Sequence, residues 1–194
     1  MKRTALVAVV IATFSTPVVA QQGMPVPAPA TQGAQQQKVS AMTQEFVKNA
    51  AITDMFEIQA GKLAQDKATN SAHKEFGKML VDDHTKTSEQ MKMMAPKIGA
   101  QLPTELDSKH KSVAQKLQSA DGAKFDDQFK AAQIDGHKDA IKLFENYAQK
   151  GDNADLKQFA QQTLPKLKEH LQHAQQLPKG GQAPTVGSGT SRAR

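Results

Sequence analysis

Four stretches of this chain repeat apolar residues at alternating spacings of four and three. That period gathers them on one face of a helix, so each stretch must bury a stripe against something else. The first runs from about Ala41 to Ala68, with Ser40 as N-cap and Phe46, Ala50, Thr53, Glu57, Ala60 and Ala64 on its stripe. A turn at Thr69–Asn70–Ser71 leads to the second, which reaches about Ile98 and carries Phe76, Leu80, His84, Thr87, Met91, Met94 and Ile98. Pro96 in its last turn predicts a kink or an early stop, and Gly99 supplies a C-cap. The third spans about Ala123 to Lys150, with Phe125, Phe129, Gln133, His137, Ile141, Phe144 and Ala148. Gly151 and an Asp152-x-x-Asp155 cap open the fourth, to Leu177, with Leu156, Ala160, Thr163, Leu167, His170, Ala174 and Leu177. Pro165 inside it predicts a kink.

The connections then fix the fold class. Two are tight turns, while roughly twenty residues separate the second stretch from the third. In that connection Thr104 with Asp107 resembles a capping box opening a short helix to about Ser119, which Asp121–Gly122 ends. The expectation is an all-α four-helix bundle with a short extra helix between helices 2 and 3. The bundle domain is residues 41–177, one domain's worth of chain.

Outside it the composition changes. Residues 1–20 read as a signal peptide: Lys2 and Arg3, an apolar run from Ala5 to Phe14, and Val18-Val19-Ala20 before Gln21. The run is too short for a bilayer, which needs about 20 apolar residues. Residues 21–40 form a Pro/Gln/Ala spacer and residues 178–194 a Gly/Ser-rich tail, neither able to bury a core. No cysteine is present, which excludes disulfides, thiolate chemistry and a lipid anchor on a mature N-terminal cysteine. No other segment is apolar enough to span a membrane, so the expectation is an exported protein, periplasmic or secreted, without a transmembrane span.

A net charge of +6 invites a nucleic-acid reading, and the position of the charges removes it. Between Ala41 and Leu177, 19 lysines face 19 acidic residues with no arginine; the surplus lies in the signal, spacer and tail. Arginine supplies the bidentate fork that phosphate and base recognition favour. No nucleic-acid partner is expected.

Each long stretch carries one metal-ligand-type residue near its middle: Glu57, His84, His137 and His170. At about 1.5 Å per residue, Glu57 and His84 lie roughly 18 and 22 Å from the first tight turn, and His137 and His170 roughly 21 and 27 Å from the last. The four therefore fall near one level. Imidazole and carboxylate together suit Zn, Fe, Mn or Cu. The same four residues would also serve as a hydrogen-bonded polar layer that fixes helix register. An error of one position in the periodicity would instead turn some of them to water. Asp83 and Asp135 read as solvent-facing or supporting residues, His173 as a further donor beside His170, and His73 and His110 as surface residues. Met91 and Met94 offer a weaker alternative, a Met-x-x-Met pair for Cu(I), although the same residues satisfy the core pattern.

Carboxylate-bridged di-iron chemistry would need Glu-x-x-His pairs. The residues three after Glu57, Glu75, Glu89, Glu145 and Glu169 are Ala60, Lys78, Lys92, Ala148 and Gln172, so the signature is missing. Nor is there a nucleophile elbow, a Walker loop or a dinucleotide fingerprint.

Four phrases together resemble a known group: FVKNAAITDMFEIQAGKLAQ, the Asp83–His84 pair in KMLVDDH, FDDQFKAAQIDGH ending at His137, and FAQQTLPKLKEHLQHAQQL with Pro165 and His170. The chain is similar to the ferritin-like domain-of-unknown-function family 4142 of exported bacterial proteins, over about Phe46 to Leu177. Members are often labelled outer-membrane proteins, a label these residues support only as envelope association. The resemblance implies a ferritin-like up-down-down-up bundle with the long connection as crossover, and no established activity. The functional expectation is a non-enzymatic envelope protein, a stress-related structural or binding module, with metal binding at the Glu/His layer as the alternative.

Overall fold

The computed structural model describes residues 39–182. The expected signal peptide, residues 21–38 of the spacer and residues 183–194 of the tail lie outside them. Every regular element described is helical: α1 (Ala41–Lys67), α2 (Ser71–Met94), α3 (Ser108–Ser119), α4 (Gly122–Lys150) and α5 (Ala154–Gln176), with a 3-10 turn at Ala95–Ile98. No strand occurs among the described residues.

The caps explain the boundaries. Ser40 accepts the amide of Thr43 and starts α1, and Asn70 accepts that of Ala72 and starts α2. Pro96 has no N–H to continue the α-helical ladder, so α2 tightens to 3-10 geometry and stops at Gly99, whose φ of 71° suits a residue without Cβ. Two expected caps are displaced. Residues 104–107 are not helical; Asp107 is itself the N-cap of α3, accepting the amide of His110. Asn153, not Asp152, caps α5 by accepting the amide of Leu156. Asp152 turns instead to the hydroxyl of Thr43, which also bonds Tyr147. α5 continues unbroken through Pro165, and the carbonyl that loses its partner there, on Gln161, belongs to an exposed residue.

Side-chain contacts give the helix directions. Phe46 near the start of α1 stacks on Tyr147 near the end of α4, and at the opposite end Thr69 bonds Asp126. α1 and α4 are therefore antiparallel. Phe76 and Asp83 of α2 meet His173 and His170 of α5, so these two are antiparallel as well. Tight turns join α1 to α2 and α4 to α5, and α3 lies in the long connection against α1 and α4. At the α1–α2 contact the backbones nearly touch: a Cβ on Gly61 would lie 2.5 Å from the Gly77 carbonyl oxygen.

The core falls into two apolar clusters. One gathers Phe46, Val47, Met91, Phe144, Tyr147, Leu156 and Leu167. The other gathers Phe56, Phe76, Leu80, Phe125, Phe129 and Leu177. Between them, along every long helix, come buried polar residues: Asp54 and Glu57, His84, Gln133 and His137, and His170. No helix among the described residues is long and apolar enough to cross a membrane.

Candidate metal centre

Glu57, His84, His137 and His170 all point inward, each at most 3% exposed, so the periodicity holds at all four positions. The structure brings three of them together. One ring nitrogen from each of His84, His137 and His170 lies within 4.8 Å of the others. Glu57 stands beside this group: its Oε1 is 3.9 Å from Nδ1 of His137.

The far nitrogen of each imidazole is held by an oxygen acceptor. His84 Nδ1 donates to Asp54 Oδ1 at 2.8 Å, His137 Nδ1 to the Gln133 carbonyl at 2.9 Å, and His170 Nε2 to Asp83 Oδ2 at 3.1 Å. An N–H committed outward leaves a neutral imidazole with its lone pair on the other nitrogen. In the neutral form of the three rings, His84 Nε2, His137 Nε2 and His170 Nδ1 are the electron-pair donors, and His84, whose pKa is raised, must give up its Nε2 proton to become one. His84 Nε2 has no hydrogen-bond partner, while His137 Nε2 and His170 Nδ1 face one another at 3.3 Å. Such outward anchoring fixes ring orientation and tautomer at histidines that bind metal.

The anchors are themselves supported. Thr87 donates its hydroxyl to Asp54 at 2.7 Å, and Lys86 and Lys166 approach Asp83 at 3.1 and 3.8 Å. Burial opposes ionisation of Asp83, but hydrogen bonds from Lys86 and His170 outweigh it and hold its carboxyl below the usual range. Burial also lowers His137 well below the ordinary imidazole value, and the charges of His84 and His170 push the same way. His170 is lowered to about 4, by burial and then by the charge on His84. His84 behaves oppositely. Burial alone would lower it, yet the hydrogen bond and charge of Asp54, with Glu57 and Asp83 behind, raise it.

Glu57 and Gln133 are the least satisfied side chains in the layer. Burial raises its pKa to about 7, against the charge of His84 and the neighbouring Gln133 amide. Neither carboxyl oxygen completes a hydrogen bond, and neither does either atom of the Gln133 amide.

Other expectations need correction. His73 is fully buried rather than on the surface, because it extends the α2 stripe back by three residues from Phe76. His173 is exposed and stacks on Phe76, outside the three-nitrogen group. His110 is half-buried against Asp107 and Phe56. Asp135 is exposed and Asp83 bonds His170, the solvent-facing and supporting roles expected of this pair. Asp54 was not singled out. Its signal is its spacing, three residues before Glu57, which sets two carboxylates on the buried face of α1. Met91 is buried in an apolar cluster and Met94 packs against the same cluster.

Fold and site together define an all-helical protein whose core is crossed by a histidine-lined polar layer. Residues 28–177 match a domain of unknown function, DUF4142, and the chain belongs to that family. No curated protein and no solved structure matches it.

Proposed function

We propose that this protein binds a divalent transition-metal ion through His84, His137 and His170. The observation that carries the reading is the outward anchoring of all three rings, which turns one buried nitrogen of each toward the other two and, with the rings neutral, makes all three electron-pair donors. Two ligands about 2.05 Å from a tetrahedral metal are about 3.3 Å apart, the usual spacing for zinc and imidazole. The His137–His170 separation already has that value. Three imidazoles suit Zn, Cu or Fe better than Mn, and they leave a coordination position open. For Cu(I), Met91 and Met94 are the weaker alternative, because core packing accounts for both.

The setting of the site follows the sequence. We read residues 1–20 as an export signal and the mature protein as a non-enzymatic component of the envelope or periplasm. The antiparallel pairing of α1 with α4 and of α2 with α5 supports a ferritin-like four-helix bundle in up-down-down-up order.

Thermal unfolding of the mature chain with and without Zn²⁺, beside His84→Ala, tests the function. A ligand that binds only the folded state raises the melting temperature, by about 2.7 kcal/mol of stability at a hundredfold excess over Kd. The gain should appear in wild type and vanish in His84→Ala. If no added metal stabilises wild type, and His84→Ala costs the same with chelator as without, the layer is structural and the metal reading fails.

A further inference from the structure

The group with most left unexplained is Glu57, a fully buried carboxyl with both oxygens unpartnered. A cleft of about 410 Å³ opens between α1, α3 and α4, and Glu57 lies in its lining with Phe56, Val113, Gly136 and Leu143. The wall between cleft and carboxyl is thin because residue 136 is glycine: a Cβ there would lie 3.3 Å from Glu57 Oε1. The same oxygen lies 3.9 Å from Nδ1 of His137. Glu57 thus belongs to the cleft lining and adjoins one ring of the histidine group.

The lining of the cleft is acidic. Asp107, Asp135 and Asp139 are set against Lys109 and half-buried His110. Asp135 is exposed and forms no ion pair among the described residues. Lys109 of α3 bonds Asp139 of α4 at 2.8 Å, tying the two helices across the cleft and placing the only lysine of the lining there.

We propose that this cleft is the route by which a divalent cation reaches the three-histidine site, with Glu57 as the residue that receives it and hands it inward. The proposal rests on the metal reading above. An acidic cleft with low-dielectric walls raises the local concentration of cations. A buried carboxyl with no partner then offers the first inner ligand. Lys109 opposes passage twice, by neutralising Asp139 and by tying α3 to α4.

The test is the rate of Co²⁺ uptake by the metal-free mature chain, followed by stopped-flow absorbance at low ionic strength. Gly136→Leu should fill the cleft beside Glu57 and slow uptake on the order of tenfold, since packed side chains leave no passage. Asp135→Lys, an exposed change that leaves packing alone, should slow it about threefold or more, with the effect shrinking as salt is added. Lys109→Gln should speed it, and Glu75→Lys, on α2 away from the cleft, should leave it unchanged. The final amount of bound Co²⁺ should be the same in all. If wild type binds Co²⁺ and all these variants match its rate, the route is overturned and the metal site stands. If wild type takes up no Co²⁺, the metal reading itself has failed.

Discussion

Nε2 of His137 and Nδ1 of His170 lie 3.3 Å apart, each on a ring whose other nitrogen donates to an oxygen. With both rings neutral, two lone pairs face each other in a buried site. One proton shared between them relieves that opposition, and so does a metal ion. Burial and the charge of His84 make protonation costly for both rings.

This sets the direction of the acid response. His170 falls from 6.5 unfolded to about 4 folded. Between those values the unfolded chain binds more protons, so stability drops as pH falls through that window, by at most about 3 kcal/mol for this group. His137, also lowered, adds with the same sign. His84 is raised, so its contribution is complete below 6.5 and fades as pH climbs through its folded value. Glu57, held up to about 7 against 4.5 unfolded, likewise costs stability as pH rises between the two. In urea titrations of the metal-free protein from pH 7 to 4, His170→Asn should show a flatter acid limb than wild type.

Asp54 never faces the converging nitrogens, yet it orients one of them. Its Oδ1 accepts from both His84 Nδ1 and Thr87 Oγ1. Removing such an outer partner weakens metal binding by about 10- to 100-fold. Calorimetric titration of Asp54→Ala with Zn²⁺ should show a loss in that range, and unchanged affinity would mean His84 is held without it.

The helices and the inward direction of the four middle residues were legible because burial imposes a period, and the period is written in Phe46, Phe76, Phe129, Leu167 and their neighbours. The supports of the site were not. Gln133 anchors His137 through its backbone carbonyl, which no side-chain pattern reports. Asp54 looked like one more acidic residue until packing against α2 placed it opposite His84 and Thr87. The missed caps have a similar cause. Asp152 and Asn153 are both good N-caps, and Thr43 across the fold takes the first, leaving the second to α5.

Gly61 and Gly77 let α1 and α2 approach closely. A Cβ on Gly61 would meet the Gly77 carbonyl oxygen at 2.5 Å, and one on Gly77 the Gly61 oxygen at 2.7 Å. Alanine in a helix normally gains about 1 kcal/mol over glycine. Here overpacking, which costs about 1–3 kcal/mol, should win. Gly61→Ala should therefore lower the urea midpoint, and a rise would mean the two helices can separate without loss.

His73 lies in the first turn of α2, fully buried and near Phe129, and neither ring nitrogen is hydrogen-bonded among the described residues. Burial lowers its pKa, and the charge of Asp126 offsets this only in part. An unsatisfied buried polar group costs about 1–3 kcal/mol. His73→Leu removes that cost, and volume-conserving changes of this kind lose less than about 1.5 kcal/mol in packing. The variant should therefore be more stable than wild type by about 1 kcal/mol at pH 7. Its advantage should widen below pH 6.5, where the folded wild type resists a proton that its unfolded chain accepts. Loss of stability at both pH values would show instead that the two ring nitrogens are satisfied in solution, by water or by a bound group.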